Sequence, residues 1–311
     1  MANSGNIADF LLYLFRSKKC QVSTIKGYRS TISNTLKFRS GQNIGFDPII
    51  SDLIKSMELQ RPVHRSLAPK WDLACVLSSL CSEPYEPLHQ VSRFFLTLKT
   101  VFLVAMATAR RVSEIHALSM DPGYLRFNQS DGSVSLRTQP GFLAKNQIPS
   151  VCPEAILVPN LARTVKRKDF NRLLCPVRAL KRYLKVTEPI RKNRKRLFLP
   201  LKGNHDISKG SISGWIAYTI RLAYKNLSKS KVALLKIKAH ELRALSASWS
   251  YFNKTPVEDV IKAAVWSSSS TFAKFYLRDL QRQSENLNLL GSVVSAQKVV
   301  GGRSGLPSQA C

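Results

Sequence analysis

The chain has 311 residues, which is enough for two domains and for a sizeable core in the larger one. Lysine and arginine outnumber aspartate and glutamate by 48 to 19, so the formal charge is +29. Because such an excess opposes compaction unless a polyanion neutralises it, nucleic acid is the leading partner, and a ribosomal or merely basic protein is the alternative. The longest apolar run, Val101–Ala107, is far too short to span a bilayer, so we expect no membrane association.

The spacing of the cysteines and histidines indicates neither a zinc site nor a disulfide framework. The six cysteines form no CxxC pair, and the five histidines are dispersed. The cysteines are Cys20, Cys75, Cys81, Cys152, Cys175 and Cys311. With no secretory signal at the N-terminus, we expect reduced thiols in an intracellular protein without a metal or cofactor.

Residues 1–62 carry the apolar spacing of a small helical bundle. The first helix is predicted around an apolar stripe formed by Ile7, Phe10, Leu11, Leu14 and Phe15. A second begins near Ser23 and places Ile25, Tyr28, Ile32 and Leu36 on one face. A third covers residues 49–57, after Pro48. Residues 63–70 lack this periodicity and contain Pro69, which predicts a linker.

The middle of the chain is predicted to be helical with a few strands. Helices are expected at 71–80, 92–108, 177–186 and 211–227, and the second of these is almost wholly apolar and therefore buried. Strand-like residues occupy 125–137, 141–145 and 197–200, with a turn signal at 128–132. The basic run 191–196 is a nuclear-import signal, a phosphate-contacting loop or simply exposed charge, and the sequence does not separate these readings.

Two stretches of the sequence carry residue types suited to binding and cleaving a phosphodiester. Arg110 and Arg111 emerge from the apolar helix with Glu114 close behind, so one arginine can be held by the glutamate and the other offered to a phosphate. Further along, His240 and Arg243 share one helical face. Ser267–Thr271 marks a turn before a second amphipathic run that contains Tyr276.

These motifs, taken in order, resemble those of the tyrosine recombinases, the phage-integrase superfamily. TARRVSEIHALS (108–119) resembles the first arginine motif, where TGLRxSEL is usual; HELR (240–243) resembles the HxxR box; and AAVWSSSSTFAKFY (263–276) resembles the closing box with its nucleophilic tyrosine. The closing form, together with LCPVRALKRYL (174–184), is similar to the recombinases of DIRS-type retrotransposons and related eukaryotic mobile elements. The resemblance covers roughly residues 7–280.

The resemblance implies a mainly α fold with a small antiparallel β-sheet. Residues 1–62 would form a helical DNA-binding domain, residues 71–283 the tyrosine-recombinase catalytic domain, and residues 284–311 a C-terminal segment and tail. That segment is expected to dock on a neighbouring subunit or to pack on its own domain. The implied partners are double-stranded DNA and further copies of the chain, as a tetramer on paired sites, in the nucleus.

The resemblance also implies the role of each site residue. Tyr276 would attack the scissile phosphorus to give a 3′-phosphotyrosyl link that is religated without ATP or metal. Arg111 and Arg243 would hold phosphate oxygens, because a planar guanidinium can bind two of them and stays protonated. Glu114 would support Arg111. His240 would assist the phenol or the phosphate, and Lys145 would protonate the leaving 5′ oxygen.

Two departures from the family pattern stand in the closing box. Trp266 replaces a second imidazole, and an indole N–H can donate to a phosphate oxygen but cannot take up a proton. The interval from Trp266 to Tyr276 is one residue longer than the common bacterial form, which predicts a local bulge.

Structural roles are the alternative for each of these residues. Arg111 can pair with Glu114, and Arg243 with Glu258 or Asp259, as ordinary salt bridges. Trp266 and Tyr276 can be packed aromatics and Lys145 a solvated lysine. At the level of function, the alternatives to a recombinase are an enzyme like the type IB topoisomerases and a non-catalytic DNA-binding protein derived from a mobile element.

Overall fold

The computed structural model describes residues 3–62, 70–145, 155–161, 170–203, 205–235, 237–266 and 268–278. The chain divides into two compact units, Met1–Ser66 and Leu67–Cys311. Most of the predicted linker, 63–69, and the whole C-terminal segment, 284–311, lie outside the described residues.

The first unit is a bundle of three helices, as the apolar spacing predicted. They are α1 (Ser4–Arg16), α2 (Val22–Ser40) and α3 (Pro48–Gln60), with a 3-10 turn at Ile44–Phe46. Asp47 caps α3 by accepting from the Ile50 N–H at 3.2 Å, and it also accepts from the Ser4 hydroxyl at 2.6 Å. These hydrogen bonds lower the pKa of the Asp47 carboxyl. The buried core consists of Ile7, Leu11, Leu14, Phe15, Val22, Ile25, Ile44, Ile50, Ile54 and Met57.

Two aromatic residues of this unit lie further from the core than their spacing predicted. Phe10 and Tyr28 are 41% and 45% exposed and pack edge to face on each other, with 6.1 Å between ring centroids. The helical period placed them at the margin of each apolar stripe, where a large ring contacts solvent on one side. At the end of the unit, Arg61 stacks on Phe15 and donates to the carbonyls of Phe15 and Cys20.

The second unit is built around one buried helix. This helix, α5 (Arg93–Thr108), follows α4 (Leu73–Ser79) and is buried from Leu96 to Thr108. It packs on α7 (Pro176–Arg191), on α8 (Lys209–Ala223) and on α10 (Ala239–Phe252). Because most of its side chains are apolar, α5 is buried from Leu96 onward, as its sequence predicted.

One ionic cluster lies within the core beside α5. Lys99 is fully buried and pairs with Glu86, which also receives a bidentate bond from Arg178 at 2.7 and 2.9 Å. Burial by itself would raise the pKa of Glu86, but the bonds from Arg178 and Lys99 hold it below its ordinary value. The cluster therefore keeps one carboxylate between two cations.

A small antiparallel sheet completes the second unit and confirms the predicted fold class. Its strands are β1 (Leu125–Phe127), β2 (Val134–Leu136) and β3 (Ile156–Val158), in the order β1-β2-β3. The predicted turn at 128–132 joins β1 to β2, with the Asn128 N–H donating to the Ser133 carbonyl at 2.9 Å. Residues 141–145, predicted as a strand, form a turn instead, and β2 pairs with β3.

Two further expectations for this unit need correction. Residues 197–200 are not a strand. Arg196, just before them, forms an isolated bridge with Ser119 in the loop after α6 (Val112–His116), and the Leu197 N–H donates to the Leu118 carbonyl at 2.8 Å. The basic run 191–196 is not simply exposed charge, because Arg191 donates to the carbonyls of Arg196 and Leu197, and Arg196 donates to the carbonyl of His116. Lys192 and Lys195 are exposed.

Several short helices complete the second unit. They are α6 (Val112–His116), α9 (Lys229–Leu234), α11 (Val257–Ala264), α12 (Ser269–Thr271) and a π-helical turn at Phe272–Tyr276. In the part of the chain that the structure describes, no helix combines the length and the apolarity needed to cross a membrane.

Candidate active site

The turn between α5 and α6 presents two arginines beside one buried carboxylate. Glu114 accepts from the Arg111 guanidinium at 3.2 Å and from the Arg111 backbone N–H at 3.3 Å, and Arg110 lies 3.9 Å away. The Glu114 side chain is 3% exposed, whereas that of Arg111 is 22% exposed. The carboxylate thus orients Arg111 and leaves part of its guanidinium accessible, so the predicted pairing is present.

Helix α10 contributes a histidine at its first turn and an arginine in its buried face. His240 is exposed, and Arg243 is 5% exposed. Arg243 donates from Nη2 to the carbonyl of Ala264, not to Glu258 or Asp259 as the structural alternative required. Burial, followed by repulsion from Arg111, lowers the pKa of Arg243 to about 10, so the group remains a cation near neutral pH.

The guanidinium of Arg243 does not make all the hydrogen bonds it could donate. Within the described residues, its Nε and Nη1 are buried without a hydrogen-bond partner, and so is the indole Nε1 of Trp266. A buried donor without an acceptor costs about 1–3 kcal/mol, more when it is charged. Three such donors in contacting side chains are exceptions to the rule that buried polar groups are hydrogen-bonded.

The closing segment folds back so that its aromatic rings stack on one another. Trp266 lies between Phe272 and Tyr276, with centroid separations of 5.3 and 4.3 Å. The Arg243 guanidinium is 5.0 Å from the Trp266 ring centroid and 5.3 Å from that of Tyr276. Because Trp266 is only 8% exposed, the predicted packing role is present together with the contact to Arg243.

The predicted bulge before Tyr276 is present as the π-helical turn. Ser268 caps the short helix α12 by accepting from the Thr271 N–H, and the ladder then widens so that Leu277 N–H donates to the Phe272 carbonyl at 2.9 Å. A π turn accommodates one extra residue within a helix. The longer interval therefore leaves Tyr276 stacked on Trp266 instead of rotating it away.

One cleft of about 720 Å³ brings these side chains together. Its lining includes Arg110, Arg111, Arg221, His240, Arg243 and Tyr276. No acidic residue lines it among the described residues, and Glu114 lies behind the arginines. The cleft therefore has a strong positive potential focused on the tyrosine.

Comparison with known proteins gives the fold. No family model matches the chain, and no curated protein matches it. The site-specific recombinase XerH, solved with a palindromic difH substrate in a post-cleavage complex, aligns with a TM-score of 0.54 over 88% of this chain and 69% of its own, at 14% identity. The chain has the tyrosine-recombinase fold.

Another solved structure, a lambda integrase(75-356) dimer bound to a COC′ core site, aligns at 17% identity with a TM-score of 0.48, over 91% of this chain and 82% of its own. At 14% identity the likeness to XerH concerns the fold, and the chemistry has to be judged from the residues themselves.

Lys145 is the predicted site residue that the structure leaves apart. It is exposed, lies on the connection between β2 and β3, and is not part of the cleft lining. It was assigned because the resembling family has a lysine in a hairpin at this point, and residues 141–145 form no strand. The structure thus brings Arg111, His240, Arg243 and Tyr276 to one cleft and leaves Lys145 outside its lining. Glu114 contacts Arg111 and Trp266 contacts Arg243.

Arg221 is a cleft residue that the sequence analysis did not single out. It lies in the last turn of α8 and lines the cleft beside His240. Because α8 contains no family motif and its arginine resembles any cation on an amphipathic helix, its local sequence gives no signal. Only the packing of α8 against α6 and α10 places it there.

Proposed function

We propose that this protein is a site-specific DNA recombinase that cleaves and rejoins strands through a covalent link to Tyr276. The observation that carries the proposal is the convergence of Tyr276 with the buried, incompletely bonded guanidinium of Arg243 in a cleft lined by cations. A phosphodiester supplies the acceptor oxygens that Arg243 and the Trp266 indole lack.

Each site residue has its own role in the proposed reaction. The Tyr276 oxygen attacks the phosphorus, the bond from phosphorus to the 5′ oxygen breaks, and the leaving oxygen takes up a proton. Arg111 and Arg243 stabilise the charge on the non-bridging oxygens, which is the main requirement of phosphoryl transfer. His240 accepts the phenolic proton or donates to the phosphate. Attack by another 5′ hydroxyl on the phosphotyrosine reverses these steps and frees Tyr276.

The experiment uses a pool of nicked duplexes with randomised sequence, from which the cleaved fragment diffuses away. Wild-type protein is expected to give complexes that resist SDS, and Tyr276→Phe none. Sequencing the trapped DNA then yields the target site. Equal, background-level adduct from both proteins would favour the non-catalytic DNA-binding protein instead.

Strand exchange separates the recombinase from an enzyme like the type IB topoisomerases. On two labelled duplexes that carry the recovered site, a recombinase produces exchanged strands, and the protein assembles as a tetramer on paired sites. Relaxation of a supercoiled plasmid without exchange would favour the topoisomerase alternative. Truncation before residue 284 tests whether the C-terminal segment docks between subunits, since unchanged assembly would exclude that role.

A second groove supports DNA as the partner. It has a volume of about 680 Å³, shares Arg221 and Ile237 with the cleft, and carries Lys225, Lys229 and Lys238. Because it continues from the cleft and contains no acidic lining residue in the described chain, we propose that the DNA backbone follows it away from the cleaved phosphate.

We also propose an origin and a cellular location for the protein. The closing box and the LCPVRALKRYL segment support a DIRS-type mobile element as the origin, and Lys192 and Lys195 support nuclear import. A fluorescent fusion in eukaryotic cells is expected to accumulate in the nucleus. Replacing both lysines with glutamine is expected to abolish that accumulation, and an unchanged distribution would exclude this signal.

A further inference from the structure

The segment that carries Tyr276 is fastened to α10, the helix that carries His240 and Arg243. The fastening residue is Ser248, which is completely buried. Its hydroxyl accepts from the Arg278 N–H at 2.8 Å and donates to the Tyr276 carbonyl at 3.3 Å. One hydroxyl thus fixes the backbone on both sides of Leu277.

A carboxylate adds a second contact to the same segment. Glu241 accepts from the indole N–H of Trp71 at 3.1 Å and lies 4.0 Å from Arg278. Arg278 in turn donates to the carbonyls of Phe275 and Leu277. The first turn of α10 therefore holds the far end of the segment as well, although the longer distance makes this contact weaker than that of Ser248.

The backbone of the tyrosine turn is held at both ends. Phe272 is buried at its start, and Ser248 bonds to the main chain at its end. The stack on Trp266 restrains the plane of the Tyr276 ring, but stacked rings can slide along each other. The position of the phenol relative to Arg243 then depends on where Ser248 holds the main chain.

We propose that Ser248 is a positioning residue for Tyr276, setting the nucleophile against the arginines of its own chain. This inference rests on the proposed function. It predicts that loss of the hydroxyl slows cleavage without weakening DNA binding, because a misplacement of about 1 Å can cost on the order of 100-fold in rate.

The test compares Ser248→Ala with Ser250→Ala. Both serines are completely buried on α10, but the Ser250 hydroxyl donates to Thr255, away from the Tyr276 segment. The rate of adduct formation at saturating nicked DNA is expected to fall by about 10- to 100-fold in S248A and to stay within about twofold of wild type in S250A. DNA affinity is expected to be unchanged in both.

Equal rates in the two variants, or a rate loss that only follows a loss of thermal stability, would overturn the proposal. Hydrogen exchange at the Arg278 amide gives a readout that does not need catalysis. It is expected to speed up in S248A and not in S250A. If wild type forms no adduct, the proposed function fails, and this exchange still decides whether Ser248 holds the segment; equal exchange in both variants would exclude it.

Discussion

Two residues of the site adopt a left-handed backbone conformation that favours glycine. Ala109 has φ 47° and Val265 has φ 52°, and Ala109 stands where the TGLR pattern of the resembling family has glycine. Left-handed conformations cost an L-residue about 1–2 kcal/mol, and a β-branched side chain is an outlier there. Both follow helix ends, next to Arg110 and Trp266, so the strain lies beside the residues of the cleft.

Replacing these residues with glycine is expected to have unequal effects. Val265 is 48% exposed, so Val265→Gly relieves strain at little packing cost and is expected to raise the free energy of unfolding by about 1 kcal/mol. Ala109 is completely buried, and Ala109→Gly loses a methyl group worth about 0.8 kcal/mol, which leaves it near neutral. Urea denaturation measures both. A destabilised V265G would show that the conformation is not strained.

A modified substrate tests which residue acts as the general acid. If Lys145 protonates the leaving 5′ oxygen, Lys145→Ala slows cleavage of ordinary DNA by about 100-fold or more. A 5′-bridging sulfur leaves as a thiolate and needs no proton, so cleavage of such DNA is expected to return to the wild-type rate.

Arg243→Ala provides the control for that experiment. Its loss removes charge stabilisation at the phosphate, which sulfur does not replace, so its defect is expected to persist. If K145A cleaves ordinary DNA at the wild-type rate, the exposed position of Lys145 outside the cleft reflects a solvated lysine and the acid lies elsewhere.

At the scale of elements, the cluster around Glu86 joins α5 to α7. Removing its carboxylate leaves Lys99 buried without a counter-charge, and such a loss costs about 3–5 kcal/mol. Glu86→Gln is therefore expected to lower the free energy of unfolding by that amount. Glu58→Gln removes the exposed pair with Lys26 and is expected to cost less than about 1 kcal/mol.

The pH dependence of stability gives the same cluster a second signature. The pKa of Glu86 is lower in the folded chain than its ordinary value, so its contribution is present above the ordinary carboxyl pKa and is lost as the pH falls through the folded value. Urea midpoints measured across the acid range are expected to fall less steeply in E86Q than in wild type. Parallel curves would contradict this role.

For the whole molecule, the charge of +29 is expected to act mainly through the two connected grooves. Replacing Lys225, Lys229 and Lys238 with alanine is expected to reduce the slope of log affinity against log salt by about 2–3, since each phosphate contact contributes about 0.9. Titrations of duplex DNA at several salt concentrations measure it.

The matched control replaces Lys185, Lys202 and Lys262, which are exposed and line neither groove. This triple variant removes the same net charge as the groove variant. Comparing the two therefore separates contacts between the groove lysines and DNA from the effect of the overall charge of the protein. Equal slopes in the two variants would show that the groove has no special part in DNA binding.

Residue type and local spacing determined much of this protein. Helical periodicity predicted α1, α5 and the bundle of the first unit, because apolar side chains three and four residues apart must face a core. Ordered motifs predicted Arg111, His240, Arg243 and Tyr276 as site residues, which line one cleft, and the extra residue before Tyr276 predicted the bulge that the π turn forms. Short-range geometry suffices for all of these.

The tertiary structure alone decided which distant groups meet. The strands at 141–145 and 197–200 were wrong because strand pairing depends on partners far along the chain. Arg221 enters the cleft through helix packing, and Ser248 reaches the backbone of residues 28 and 30 positions away. The tertiary structure also decides that Nε and Nη1 of Arg243 have no hydrogen-bond acceptor among the described residues. A guanidinium N–H lacks an acceptor only when the fold excludes water from it and places no protein acceptor beside it.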